Sequence, residues 1–354
     1  MAPQRWVDTP NTRVKDSGFG WVDATWSPSG RQGAPDVPAL ADDLYCSVAM
    51  LDQSAYQRAR VFLEGCRELE RAVCDFVLDG GPVWRVVDAL EVFQNPDGGF
   101  GHGLEPDLLC GSSSAVATAA ALRRITEVAA PPSHAMVANA IAWTQRTLDP
   151  HERTWRIVPT DAGTAPHAPW WDQEGLEERF NGFTLNPKAD LVAHLYAIDE
   201  NADGWLDRLA EDVSRELENR VAANVALDMH EIGGCVALLD APHVPVQVRR
   251  RLHELLAPLV DANVARDAGA WSSYSLRPLA AAPKPGCAFA GQLSEVVHAE
   301  LDYLIAEQAE DGGWWPTWSW DRDEEVWLRQ RQVWAGVLTV DALTRLEAYG
   351  RLER

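Results

Sequence analysis

Glu105 and Asp107 flank Pro106 just ahead of the small-residue run Ser112-Ser113-Ser114-Ala115-Val116-Ala117-Thr118-Ala119. Two carboxyl groups this close can raise one another's pKa by like-charge repulsion and burial, which is what a general acid at neutral pH requires. The same residues can instead cap the helix that follows. His102, in the Gly-rich segment just upstream, can donate or relay a proton, or can act as an ordinary polar loop residue. A second titratable group, Asp228-Met229-His230-Glu231, opens an apolar segment that contains Gly233-Gly234. Asp228 and His230 read there as polar residues lining a pocket, with Asp228 also an N-cap candidate. A metal at that point needs a distant third ligand such as His167 or His298, and no metal site is assigned.

Tryptophan is the compositional anomaly, with 16 Trp against 6 Tyr and 8 Phe. Trp170-Trp171 follow His167 and Pro169, and Trp314-Trp315, Trp318 and Trp320 cluster around Pro316. Rings facing a dry cavity stabilise a cation by about 2 kcal/mol, whereas rings packed on one another are simply core. Their position in Pro- and Gly-containing connections makes His167, Trp170, Trp171, Trp314, Trp315 and Trp318 candidates for substrate contact.

The elements that must hold these residues are helical. From Ser54 onward Phe62, Cys66, Leu69, Val73 and Phe76 repeat at helical spacing until Gly80-Gly81 stops them. Pro82 suits the first turn of a second helix with Val83, Val86, Val87, Leu90 and Phe93 on one face. Further helices are expected over 112–128, 133–148, 187–198, 203–222, 229–239, 246–260, 292–308 and 324–349. β-Branched alternation never persists, so the fold class is all-α. Residues 1–50 are rich in Pro, Gly and Asp, with Trp6, Trp21 and Trp26 and no sustained period. They read as an irregular arm.

Composition bounds the partners. A net charge of −22 over 354 residues argues against a nucleic-acid binder, which needs a basic footprint. No run approaches the roughly 20 apolar residues of a membrane span, and the polar start lacks the apolar core of a signal peptide. The expected location is the cytoplasm. Cys46, Cys66, Cys74, Cys110, Cys235 and Cys287 form no Cys-x-x-Cys pair and read as reduced thiols. Lysine is scarce beside arginine, alanine and valine, the pattern of a GC-rich bacterial genome.

Self-similarity is the strongest signal. Gln94-Asn95-Pro96-Asp97-Gly98-Gly99-Phe100 and Gln308-Ala309-Glu310-Asp311-Gly312-Gly313-Trp314 align without a gap. Both follow an apolar-faced helix, and both read as a clasp in which Gln bonds helix-end carbonyls, Gly-Gly turns the chain and the ring packs back. Asp97 and Asp311 belong to that turn and are structural. Thr144-Gln145, Asp149 and Trp155 read as a decayed third copy.

This element resembles the QW repeat of the terpene cyclase and protein prenyltransferase superfamily. Segments 100–107, 166–171 and 314–320 are similar to a bacterial prenyltransferase/squalene-oxidase-repeat subfamily. The resemblance implies an α/α toroid over 51–354, with inner and outer rings of helices around an aromatic-lined pocket. It further implies proton-initiated, class II cyclisation of an apolar isoprenoid. Asp107 or Glu105 would be the acid, and Trp170, Trp171, Trp314 and Trp315 would steady the cation. The Asp-x-Asp-Asp motif of those cyclases is absent here. The zinc site of the protein prenyltransferases is not matched either, since Cys287 lacks an Asp-x-Cys context, and no Arg/Lys cluster offers itself to a diphosphate. No cofactor is therefore expected, and magnesium enters only if the substrate is a diphosphate. The run Asp321-Arg322-Asp323-Glu324-Glu325 is similar to the acidic run of class I synthases but reads as the solvated start of the last helix. The alternative is a toroid that binds a lipid, carbohydrate or peptide without this chemistry.

Overall fold

The structure, a computed structural model, describes residues 48–198 and 204–354. The expected N-terminal arm lies outside the described residues except for 48–50, and Cys46 and the three tryptophans named in it lie outside as well. The described residues are all-α, with fourteen α-helices and only isolated β-bridges. In chain order these are α1 Gln53–Glu64, α2 Glu68–Asp79, α3 Val83–Glu91, α4 Ala115–Glu127, α5 Ala135–Thr147, α6 Leu176–Arg179 and α7 Lys188–Ile198. The remainder are α8 Trp205–Ala222, α9 Met229–Asp240, α10 Val246–Asn263, α11 Ala268–Trp271, α12 Pro278–Ala281, α13 Ser294–Ala306 and α14 Glu324–Ala348. No described helix is long and apolar enough to cross a membrane.

The local causes are ordinary. Asp52 caps α1 through the Ala55 N–H at 2.8 Å, Ser114 caps α4 through Ala117, and Gly80 closes α2 in the left-handed conformation. The helix expected from Ser54 to Gly80 is in fact two. Gly65 ends α1 with its N–H on the Phe62 and Leu63 carbonyls, and Arg67 is extended before α2 begins. The break shifts the helical phase. Tyr56, Ala59 and Leu63 therefore take the core, while Phe62 and Cys66 are left half-buried.

Helices pack in a sequence of neighbours: α2 on α3, α4 on α7, α7 on α9, α9 on α10 and on α12, α12 on α13, and α14 on both α1 and α2. The last contact brings the two ends of the described chain together. Leu51 donates to the Arg351 carbonyl and accepts from the Glu353 N–H, both at 2.9 Å. Most of the apolar side chains form one continuous core. A separate, smaller cluster of apolar side chains is built largely from the connections that precede α4, α7 and α14.

The two repeats make the same contacts. Gly98 and Gly312 have φ of 92° and 94°, and a Cβ on either would meet a backbone carbonyl, Asn139 O at 2.4 Å or Arg58 O at 2.3 Å. The Gly99 and Gly313 N–H groups each donate to the Asp of their own repeat, Asp97 and Asp311, at 3.0 Å. Phe100 and Trp314 each donate their N–H to a fully buried threonine, Thr118 of α4 and Thr339 of α14. The glutamines correct the expected clasp. Gln94 donates to Gly98 O and Met136 O, and Gln308 to Gly312 O and Ala55 O, so each ties its loop to another helix rather than to the end of its own. In the proposed third copy the ring and the Asp persist: Trp155 donates to Thr144 O at 2.8 Å, as Trp314 does to Leu304 O, and Asp149 accepts from the His151 N–H two residues on, as Asp97 and Asp311 do. The exposed Gln145 makes no such tie.

Candidate active site

Three connections converge on Asp107. The segment before α4 is held against the α5–α7 connection by Leu109 N–H to Pro166 O at 3.1 Å and by Ala168 N–H to Asp107 O at 2.9 Å. The segment before α14 is tied in by Arg322, which donates to His167 O and straddles the Asp172 carboxylate at 3.0 to 3.2 Å. Arginine suits this position because its planar fork reaches a carboxylate and a carbonyl at once.

Asp107 is 4% exposed. Its Oδ1 accepts two indole N–H bonds, from Trp320 at 2.7 Å and Trp334 at 2.8 Å. Oδ2 takes no hydrogen bond from the described residues. Around it Trp320 leans on Trp327 at 5.8 Å, and Trp318 sits edge-on to Trp334 at 5.2 Å. Trp171, stacked on Phe180 at 5.4 Å, belongs to the same apolar cluster, with Trp170 packed against it. The Trp171 Nε1 is buried without a partner among the described residues.

Burial drives the electrostatics. It raises the Asp107 carboxyl above the usual carboxylate range against the opposing pull of the two indole N–H groups. Glu105 is raised further, by burial first and by the Asp107 charge second, with Arg67 opposing. A pair in this state keeps a proton at neutral pH that isolated carboxyls have lost. The arrangement is therefore a proton store beside indole rings, with two fixed N–H donors aimed at the oxygen on which charge appears when the proton leaves.

The other residues singled out in the sequence divide. His102 does not join the acid pair; it is exposed, has φ of 56°, and pairs with Asn95 Oδ1 at 2.8 Å across its own loop. His167 stands at the convergence of the three connections, with both ring nitrogens facing oxygen acceptors, Ala165 O and Asp172 Oδ1. It braces the site rather than opening to it. Trp170 and Trp171 belong to the apolar cluster that also holds Trp320 and Trp334, and Trp318 lies edge-on to Trp334. Trp314 and Trp315, expected to line the pocket, do not belong to that cluster. Trp314 is main-core, and Trp315 covers Phe62 and Arg331 while donating to Asp311. The repeat contacts claim both rings.

Asp228 and His230 are likewise placed elsewhere. Asp228 is the N-cap of α9, accepting from His230 and Glu231 N–H at 2.8 Å, and the buried Glu231 completes a capping box and pairs with Arg220. His230 is exposed against Tyr274. Among the described residues no three His, Cys, Asp or Glu side chains are grouped to hold a metal ion. A surface depression of about 560 Å³ lies between α2 and α3, lined by Arg67, Trp84, Arg85 and Phe93 among others, and Arg67 also donates to the Gly103 and Leu104 carbonyls just ahead of Glu105.

Trp334 was not singled out in the sequence, because it lies inside the last helix and meets Asp107 across 227 residues. A charged cluster was also missed: Arg123 of α4 bonds Glu127 and Asp341, and Asp190 of α7 faces the His194 ring. Burial tends to raise Asp190, but the His194 ring at 3.4 Å, with Arg123 and His230 beyond, holds it below the usual range. No family model and no curated protein matches this chain.

Proposed function

We propose that the chain is an α/α-toroid enzyme of the terpene cyclase type, in which the Glu105–Asp107 pair protonates an uncharged, largely apolar isoprenoid. The toroid reading is supported by the order in which the helices pack and by the meeting of the first and last helices. One observation carries the chemistry: a buried carboxyl whose Oδ1 is held by two indoles, leaving Oδ2 to bear the proton. In the proposed step Asp107 Oδ2 gives its proton to one carbon of a C=C bond, and the π pair forms the new C–H bond. The cation left on the neighbouring carbon faces indole rings. The carboxylate formed is stabilised by the Trp320 and Trp334 N–H groups, and Glu105 returns a proton. This route uses no cofactor; magnesium would serve only a diphosphate substrate. A cytoplasmic setting is part of the same proposal.

The test is mass spectrometry of products after incubation with squalene and with geranyl, farnesyl and geranylgeranyl diphosphates, with and without magnesium. Wild type is compared with Asp107→Asn. A cyclised product lost in the variant supports the acid, and no product across the panel removes the cyclase reading. The polarity around Arg123, Asp190 and His194 favours a second reading, a toroid that binds a carbohydrate or peptide. Under that reading a glycan or peptide binds with an affinity that Asp107→Asn leaves unchanged.

A further inference from the structure

Helix α3 turns one face into the core through Val86, Val87 and Leu90 and leaves another uncovered. Trp84, Asp88 and Val92 stand at i, i+4 and i+8 along that outer face, with Trp84 43% and Val92 70% exposed. All three line the depression between α2 and α3, whose volume of about 560 Å³ falls within the range of small-molecule sites. Leu69, Ala89 and Phe93 supply the rest of its apolar lining. The charged lining is paired, with one exception. Arg67 spans both oxygens of the Glu70 carboxylate, at 2.6 and 2.9 Å, and sits over the Phe93 ring at 5.5 Å. Arg85 bonds Asp75 at 2.7 Å and Glu68 at 2.6 Å, and the second Glu68 oxygen takes Arg71. Among the described residues Asp88 has no hydrogen bond or ion pair, and the Trp84 indole has no hydrogen bond and no ring or cation partner. An uncompensated carboxylate thus lies one turn from an open indole ring and beside apolar surface, while both arginines of the lining are turned to other carboxylates.

We propose that this depression binds a small organic ammonium ion with an apolar body, its charge at Asp88 and Trp84 and its body along Leu69, Ala89, Val92 and Phe93. A carboxylate and an indole ring both attract a cation, and each attraction is stronger beside apolar surface than in open water. The Phe93 ring already holds one cation, Arg67, in this way. An anionic ligand meets the Asp88 charge unopposed, and a neutral one forgoes both attractions. The inference does not depend on the role given to Asp107, since it is read by binding alone.

The experiment is isothermal titration calorimetry on the full chain at about 0.15 M salt, which screens the general pull of the −22 net charge on cations. The probes are phenethylammonium, neutral phenethyl alcohol, hydrocinnamate, ammonium chloride and an acetylated, amidated leucine–lysine–leucine tripeptide. Wild type should bind phenethylammonium about tenfold more tightly than the alcohol, and should not bind hydrocinnamate or bare ammonium. Asp88→Asn should weaken amine binding about fivefold and leave the alcohol unchanged. Trp84→Ala should weaken both, and Trp84→Phe should recover part of the amine affinity. Glu218→Gln, an exposed carboxylate of α8, should change nothing. Absence of amine binding to wild type overturns the proposal, as does equal binding of the alcohol, tighter binding of hydrocinnamate, or an equal loss in Asp88→Asn and Glu218→Gln. Binding of the tripeptide without binding of the free amine overturns it in favour of a protein partner. Trp84 and Asp88 are both exposed, so these variants keep the fold, and the wild-type comparison of amine with alcohol decides the matter without them.

Discussion

Burial makes the uncharged form the favoured state of the Glu105 and Asp107 carboxyls, and this fixes how the molecule responds to pH. Their folded values, about 8 and about 6, lie above those of the unfolded chain, near pH 4. The folded protein thus keeps protons that the unfolded chain has released. The resulting stabilisation is complete below about pH 4 and is lost as pH rises through the two folded values. Glu105→Gln should therefore gain in melting temperature over wild type at about pH 8.5 and much less at about pH 5.5; parallel melting curves would refute the assignment. Proton donation should show the matching limb, with product formation falling as the medium becomes alkaline. The acid pair was legible in the sequence because its two members lie two positions apart. Its partners were not all legible, since Trp320 and Trp334 reach Asp107 across 213 and 227 residues. No local pattern encodes a contact made by folding back the far end of the chain.

Among the elements, the two clasps and the Arg322 tie make opposite demands on sequence reading. The clasps were legible because glycine is locally obligatory there. Gly312→Ala puts a methyl 2.3 Å from Arg58 O at a positive φ and should cost about 3 kcal/mol. Gly163→Ala, with nothing within 4 Å, should stay within about 0.5 kcal/mol, so denaturant unfolding of the two variants measures the demand directly. What the glutamines bond was not legible, because their acceptors sit on helices distant in sequence. Arg322 was read as part of a solvated acidic run, yet it joins two connections through His167 O and Asp172. Arg322→Ala should lose about 2 kcal/mol and speed hydrogen exchange across 157–172 more than in α7 or α9. Equal exchange in both regions would mean that the indole cluster holds itself together.

At the scale of the whole molecule, the boundaries of the eight longer helices from α4 to α14 were legible from apolar spacing, but the one-turn α6, α11 and α12 and the charge network that joins α4 to α14 were not. Burial alone would raise Asp341, but Arg123 and Arg124, with Arg345 beyond, hold it far below the usual carboxylate range. Its stabilisation is thus present above about pH 4 and fades as pH falls through the depressed folded value. Asp341→Asn should cost about 3 kcal/mol at neutral pH and flatten the acid limb of the stability curve, measured by urea unfolding at a series of pH values.

The seam between Leu51 and residues 351–353 has a consequence for synthesis. A ribosome delivers α1 early, but the loop that receives its outer surface, from Gln308 to Trp315, comes more than two hundred residues later. The strand-like pairing beside it must wait until Glu353 has cleared the exit tunnel. Helices α4 to α10 can settle against one another as they emerge, each beside a neighbour already made. Among the described helices the first to be made is among the last to be fully seated: α2 meets it at once, but the face it turns to α14 stays uncovered until that helix arrives.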